Sequence, residues 1–110
     1  MELITGGKYQ GKRKYALNTL RVSEDRIVEG LNEKVRELLK EGKDPESYVK
    51  ALLEEKPDAV IICDEVGCGV IPLEEKDREY RIAMGRLECF LSERAEHVYR
   101  VAAGLGIKLK

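Results

Sequence analysis

The residues of this chain best suited to chemistry lie near its start, where glycines are followed by cations. Gly6 and Gly11 occupy the two glycine positions of the pattern G-x-x-x-x-G-K-[ST], and Lys12 occupies its lysine position. In that pattern, backbone N–H groups wrap a phosphate chain, and the lysine neutralises its terminal oxygens. The last position normally supplies a hydroxyl to Mg²⁺, but here it is Arg13, which cannot ligate a cation. The spacing therefore predicts an anion cradle that lacks its usual metal ligand.

Residues 6–13 are called the glycine-lysine loop below. We predict that this loop and the residue after it bind the phosphates of ATP or GTP; the set is Gly6, Gly7, Lys8, Tyr9, Gln10, Gly11, Lys12, Arg13 and Lys14. Lys12 is the predicted catalytic residue, because its ammonium would neutralise charge that develops during phosphoryl transfer. The alternative interpretation is an ordinary strand-to-helix turn with a chance lysine and solvated cations around it.

Two acidic residues mark a second candidate position. Residues 59–63 form an apolar run rich in β-branched side chains, which is typical of a strand buried on both faces, and Asp64 and Glu65 follow it. Acids at the carboxyl end of such a strand face the ligand crevice of an open α/β sheet. Either acid could hold Mg²⁺ or could simply cap nearby amides. Whether Mg²⁺ binds at all stays open, since Arg13 replaces the usual ligand.

Strands and helices alternate along the chain and would position these residues. Hydrophobic periodicity and turn residues predict strands over 2–5, 59–63, 98–102 and 107–109, and helices over 12–20, 24–41, 45–56 and 74–95. Such alternation favours an α/β fold: a small P-loop-type three-layer domain, with a mostly parallel sheet and an edge hairpin at the C-terminal end. A length of 110 residues predicts one domain, spanning 1–110.

Composition excludes several classes of partner. The net charge of −1 argues against binding to nucleic acid, and no apolar run reaches the roughly 18 residues of a membrane span. The start of the chain lacks the features of a signal peptide, so we expect a cytoplasmic protein. The cysteines at positions 63, 68 and 89 match no metal motif and are predicted to be reduced thiols in the core. His97 is predicted to be structural or exposed.

Residues 64–72, Asp-Glu-Val-Gly-Cys-Gly-Val-Ile-Pro, resemble the N-E-V-G-x-G-I-V-P signature of the bifunctional adenosylcobinamide kinase/adenosylcobinamide-phosphate guanylyltransferase family. The similarity continues through Arg78, Tyr80, Arg81, Gly85 and Arg86, which echo a conserved helix of that family, and through residues 104–110, which look like its closing strand. Residues 5–13 resemble its T-G-G-x-x-S-G-K-S opening, with Gln10 and Arg13 in place of two serines.

The resemblance implies a kinase whose acceptor is the hydroxyl on the aminopropanol arm of cobinamide. It therefore implies a corrinoid partner. The resemblance separately implies self-association into a ring. Residues 21–57 are predicted to form two helices without the histidine that takes up the guanylyl group in the family. We therefore expect a cobinamide-kinase-like protein that binds a nucleoside triphosphate through a degenerate Walker A loop, with weak or no phosphoryl transfer. The alternative is a catalytically inactive paralogue that acts as a binding or oligomeric assembly module.

Overall fold

A computed structural model describes residues 1–66 and 75–110, which fold around a mostly parallel sheet. Its strands are β1 (Glu2–Gly6), β2 (Ile27–Val28), β3 (Val60–Asp64), β4 (His97–Ala102) and β5 (Leu105–Lys108). Its helices are α1 (Lys12–Asn18), α2 (Leu31–Lys40), α3 (Pro45–Glu55) and α4 (Glu75–Arg94), and Glu24–Arg26 forms a 3₁₀ turn. Cys68 and the other residues of 67–74, which carry most of the resembling signature, lie outside the described residues.

The sheet places β1 at its centre. Within the described part of the chain the strand order is β2-β3-β1-β4-β5. β1 pairs in parallel with β3 and β4, β2 pairs in parallel with β3, and β4 and β5 form an antiparallel hairpin at one edge. The prediction of a mostly parallel sheet with a C-terminal edge hairpin is therefore confirmed. The carboxyl ends of β1, β3 and β4 meet at one edge of the sheet, where ligands bind in open α/β folds.

Helices cover both faces of the sheet, as the predicted three layers require. Successive strand residues point to opposite faces. On one face, Ile4 and Ile62 pack with Ala16 of α1. On the other face, Leu3 and Ile61 pack with residues of α2, α3 and α4. The inward residues of α4 are those that its helical spacing predicts, and all are buried: Tyr80, Met84, Leu87 and Leu91.

The helix predicted over residues 24–41 is wrong in its first part. Ile27–Val28 joins the sheet beside β3, and α2 begins only at Leu31, after Gly30 with a φ of 78°. β-Branched Ile27 and Val28 favour an extended conformation, and the free edge of β3 supplies backbone partners for it. The middle of the chain therefore contributes a short strand as well as two helices, and Glu29 directly follows that strand.

The expectation about the cysteines is wrong in part. Cys63 is buried as predicted, whereas Cys89 is exposed on α4. The last turn of the chain is formed by Ala103 and Gly104, so Leu105 already belongs to β5. Within the described ranges, the helices are all too short or too polar to cross a membrane.

Candidate functional site

The glycine-lysine loop connects the central strand β1 to the start of α1. Its backbone adopts positive φ angles at Gly6 (153°), Tyr9 (59°) and Gly11 (88°). A Cβ atom on Gly6 would lie 2.3 Å from the carbonyl oxygen of Val101, so only glycine fits there. Tyr9 is 99% exposed and holds a conformation that side chains rarely adopt. A strained backbone at an exposed residue is typical of a loop whose shape is imposed by its surroundings.

Lys12 turns its ammonium back into this loop. Its Nζ atom donates to the carbonyl oxygens of Gly7 (2.6 Å) and Gly6 (3.2 Å) and forms an ion pair with Asp64 Oδ1 at 2.8 Å. The side chain is 7% exposed, so these contacts occur away from bulk water. Because an ammonium has three N–H donors, its hydrogen-bonding capacity is filled by these partners. An incoming anion would have to replace some of them.

Asn32 fixes the strand end that carries Asp64. Its Nδ2 atom donates to the Asp64 backbone oxygen (3.0 Å) and to the Tyr80 hydroxyl (2.9 Å), and its Oδ1 atom accepts from the Asp64 N–H (2.9 Å). The Asn32 side chain is buried, with 6% of the residue exposed. The sequence reasoning missed this residue. Its one signal is a polar side chain in the first turn of α2 next to the apolar face of Leu31 and Val35.

Glu65, which follows β3, is held by a cation of β4, two strands away in the sheet. Arg100 of β4 contacts its carboxylate through two nitrogens, at 2.7 Å (Nε) and 3.2 Å (Nη2). The Glu65 N–H also donates to the Gly6 carbonyl oxygen at 2.8 Å, which ties the end of β3 to the loop. Sequence reasoning named Glu65 but not Arg100. Both acids predicted as metal ligands, Asp64 and Glu65, are therefore paired with cations in this structure.

Arg13 is engaged by two glutamates on the rim of the site. Its guanidinium forms ion pairs with Glu24 and with Glu29, the residue that follows β2. The hydrogen bond and charge of Glu29, and then those of Glu24, raise the pKa of Arg13 above its ordinary value. The arginine that stands at the hydroxyl position of the motif is thus already neutralised by local acids. Its predicted contact with a phosphate stays a prediction.

The loop is also anchored to the hairpin. Gln10 Oε1 accepts from the Ala103 N–H at 2.6 Å, and the Gln10 carbonyl oxygen accepts from the Gly104 N–H at 2.8 Å. A Cβ atom on Gly11 would lie 3.5 Å from Gly104 Cα, which shows how closely the two turns approach. Gln10 therefore has a structural partner, although it was predicted to bind the nucleotide.

A cleft of about 560 Å³ opens beside the loop, between α1 and the start of α2. Lys12, Lys14, Asn32 and Asp64 contribute to its wall. Four of the predicted site residues do not line this cleft, namely Gly6, Gly7, Lys8 and Glu65, and Lys8 is exposed. Among the described residues, no three His, Cys, Asp or Glu side chains are arranged to hold a metal ion.

His97 lies at the far end of the sheet from the cleft. It pairs in register with Glu2, the first residue of β1, and its Nδ1 atom is 3.0 Å from the Glu2 carboxylate. The loop follows the opposite end of the same strand. The prediction of a structural or exposed histidine is therefore confirmed.

Comparison with known proteins identifies the family of this chain. A family model described as cobinamide kinase / cobinamide phosphate guanyltransferase matches residues 27–109. The chain belongs to this family. The matched range includes Asn32, Asp64, Glu65 and Arg100, and it begins after the glycine-lysine loop.

Two curated relatives agree with this membership. They are the bifunctional adenosylcobalamin biosynthesis proteins CobU of Salmonella typhimurium and Escherichia coli, each 35% identical over 51 residues. The aligned stretch covers 46% of this chain and 28% of the length of each relative. The similarity of this cobinamide kinase / cobinamide phosphate guanyltransferase family member to the two relatives therefore covers a minority of their length.

Proposed function

We propose that the chain, as a single domain spanning residues 1–110, binds the triphosphate of ATP or GTP at the glycine-lysine loop and acts as a cobinamide-kinase-like protein with weak or no phosphoryl transfer. One observation carries this proposal: the buried Lys12 ammonium lies where the loop and the carboxyl end of β3 meet. The family membership of residues 27–109 gives cobinamide as the proposed acceptor.

Binding would work by exchange of partners at Lys12. A phosphate oxygen can take the place of the Gly6 and Gly7 carbonyls, because a charged acceptor makes a stronger hydrogen bond than a neutral one. The N–H groups of Lys8 and Tyr9, which have no hydrogen-bond partner within residues 1–66 and 75–110, would face the anion in a backbone nest. The start of α1 adds a small favourable dipole.

Weak transfer follows from the cations and acids already paired around the loop. Phosphoryl transfer depends on charge neutralisation and on orientation of the reacting oxygens. Arg13 stands where a hydroxyl would help to hold Mg²⁺, and its charge is shared with Glu24 and Glu29. Asp64 and Glu65 would have to leave Lys12 and Arg100 before they could serve a metal ion. We therefore propose nucleotide binding that is nearly independent of Mg²⁺.

Isothermal titration with ATP and with GTP, with Mg²⁺ and in EDTA, tests this proposal. The wild type should bind equally in both conditions, Lys12→Ala should abolish binding, and Arg13→Ser should make binding depend on Mg²⁺. Lys40→Ala removes an exposed cation at the end of α2 and is the matched control. Wild-type binding that disappears in EDTA would show that a metal ion is held despite Arg13. Failure to bind either nucleotide would refute the proposed function.

A second candidate function, an assembly module without chemistry, is favoured by one surface. Leu105, Ile107 and Leu109 project from the edge hairpin and are 74%, 57% and 59% exposed. β5 is also an edge strand, and an apolar edge of this kind is an unsatisfied pairing surface. We propose that copies of the chain associate through this edge. Light scattering at micromolar concentration should give a multiple of 12.5 kDa, and Ile107→Lys should give the monomer mass; a monomeric wild type would refute the association.

A further inference from the structure

Tyr9 carries an aromatic ring that the folded chain leaves in solvent. The residue is 99% exposed, whereas Tyr80 is 6% exposed and the rings of Tyr15 and Tyr99 pack at 5.9 Å between centroids. Within residues 1–66 and 75–110, the Tyr9 ring contacts no other ring and no cation, and its hydroxyl makes no hydrogen bond. Because aromatic side chains stabilise a fold through the area that they bury, Tyr9 contributes very little to this one.

The backbone of Tyr9 is also unfavourable for a tyrosine. Its φ of 59° lies in the left-handed region, which glycine adopts freely and other residues adopt at a cost. The nearby Gly11 takes a φ of 88°, so a glycine at position 9 would make the same kind of turn. Tyrosine therefore adds strain to the loop and gains no packing in the unliganded protein. An outlier of this kind at an exposed position indicates a role in binding.

Tyr9 lies where a ligand of the glycine-lysine loop would meet its side chain. It contributes to the wall of the cleft of about 560 Å³, together with Lys12 and Lys14. The next residue, Gln10, ties the loop to Ala103 and Gly104 of the hairpin, so Tyr9 stands on an anchored turn. The Tyr9 N–H is one of the two backbone groups proposed above to face the phosphates. A nucleotide held there therefore has the ring within reach.

We propose that the Tyr9 ring is the surface on which the base of the bound nucleotide stacks. Every base has a flat π-face, so an aromatic side chain accepts adenine and guanine alike. Tyrosine suits this role because ordering its two χ angles costs little conformational entropy. The inference rests on the proposed function, and it names the residue that would distinguish a nucleotide from a bare polyphosphate.

Other exposed features of the molecule lack a defined ligand. The cleft of about 330 Å³ beside Leu39, Pro45 and Ile82 is largely apolar, and nothing in the described residues shows what covers it. Tyr48 is 37% exposed, but the Lys34 ammonium lies 5.2 Å from the centre of its ring. Within the described part of the chain, Tyr9 combines an unpaired ring, a strained backbone and a place in the wall of the candidate site.

The experiment compares calorimetric titrations with ATP, GTP and inorganic tripolyphosphate in EDTA. Tyr9→Ala removes the ring but keeps the Cβ atom, so the restriction on the backbone stays. It should weaken the binding of both nucleotides about tenfold and leave tripolyphosphate binding unchanged. Tyr9→Phe keeps the ring and should restore most of the nucleotide affinity. Tyr48→Ala truncates an exposed tyrosine of α3 and is the matched control, with all three affinities unchanged.

Nitration of tyrosines by tetranitromethane, mapped by mass spectrometry, follows the ring directly in the wild type. ATP should slow the nitration of Tyr9 and leave that of Tyr48 unchanged, because a stacked base covers only the Tyr9 ring. Tripolyphosphate should slow neither reaction. If tripolyphosphate protects Tyr9 as strongly as ATP does, the phosphates and not the base lie at the ring, and the stacking is overturned.

The titrations separate failure of this inference from failure of the proposed function. Equal losses for ATP and tripolyphosphate in Tyr9→Ala would mean that Tyr9 only shapes the loop, and would overturn the stacking. The stacking is also overturned if Tyr9→Ala binds ATP as the wild type does, or if Tyr9→Phe binds it as weakly as Tyr9→Ala. In each of these results the wild type still binds nucleotide. A wild type that binds neither ATP nor GTP refutes the proposed function itself.

Discussion

Replacement of Asp64 by asparagine tests the central contact of the candidate site. Asp64 Oδ1 lies 2.8 Å from the Lys12 ammonium, and the two side chains are 24% and 7% exposed. Removing one partner of a buried ion pair costs about 3–5 kcal/mol. Here Lys12 keeps the Gly6 and Gly7 carbonyls, and asparagine keeps an oxygen at the same place. We therefore expect Asp64→Asn to lower the free energy of unfolding by about 1–3 kcal/mol.

The same substitution should have the opposite effect on ligand binding. Asp64 competes with a phosphate for the Lys12 ammonium, so its neutralisation should release Lys12 to the ligand. In EDTA we expect the Asp64→Asn protein to bind ATP about tenfold more tightly than the wild type, a gain of about 1.4 kcal/mol. A loss of stability combined with a gain of affinity is the pattern that competition predicts.

Two measurements decide this prediction. Thermal unfolding should show a Tm lower by about 4–12 °C, at roughly 4 °C per kcal/mol. Calorimetry in EDTA gives the affinity. Asp58→Asn is the matched control, because the Asp58 side chain is 73% exposed and its carboxylate lies 3.8 Å from Arg26 Nε. The hydrogen bond from Arg26 Nε to Asp58 uses the backbone oxygen, which asparagine keeps. The reasoning fails if Asp64→Asn unfolds at the same temperature as this control, or if it binds metal-free ATP more weakly than the wild type.

The other predictions concern packing and titration. Asn32→Ala should lower the free energy of unfolding by about 2–4 kcal/mol in urea, because it leaves several buried groups unpaired; a change below about 1 kcal/mol would contradict this. Gly106→Ala would place a Cβ 2.1 Å from an aromatic ring and should destabilise by about 1–3 kcal/mol, whereas Gly85→Ala, with open space around it, should stabilise α4 by about 0.5–1 kcal/mol; equal effects would be inconsistent with this packing. The pKa of Glu88 is raised from 4.5 to about 7, so the folded state binds more protons than the unfolded state between these pH values. The free energy of unfolding of the wild type should therefore fall by about 1–2 kcal/mol as the pH rises through this range, after allowance for partial exposure. Glu88→Gln should remove this slope, and parallel curves for the two proteins would argue against the assignment.

Patterns that depend on neighbouring residues predicted the fold well. The β-branched run became β3, and the 3.6-residue spacing of Met84, Leu87 and Leu91 became the buried stripe of α4. The predicted start of the helix at residue 24 was wrong because Ile27 and Val28 continue a helical spacing in the sequence. Only the open edge of β3, a partner distant in the chain, makes the extended form more favourable.

The candidate site was predictable where a motif specifies it and not where distant strands complete it. Glycine spacing located the loop and Lys12, and the acidic strand end located Asp64. The partners Asn32 and Arg100 come from α2 and β4, and no local pattern links them to those acids. The ion pairing of Arg13 could not be predicted from the sequence either, because Glu29 reaches Arg13 only once β2 has joined the sheet.

The contact between Gln10 and the hairpin has a consequence for the order in which the chain folds. Gln10 and Ala103 are separated by 93 positions, and ribosomes add about 5–20 residues per second, so roughly 5–19 seconds pass between their synthesis. A similar time passes between the synthesis of β1 and that of β4, which pairs with β1 on one side. Long-range closure of this kind is a late and slow event. The glycine-lysine loop is therefore incomplete while the chain is being synthesised. A ligand that binds this loop would stabilise the completed protein and would not direct the earlier steps of its folding.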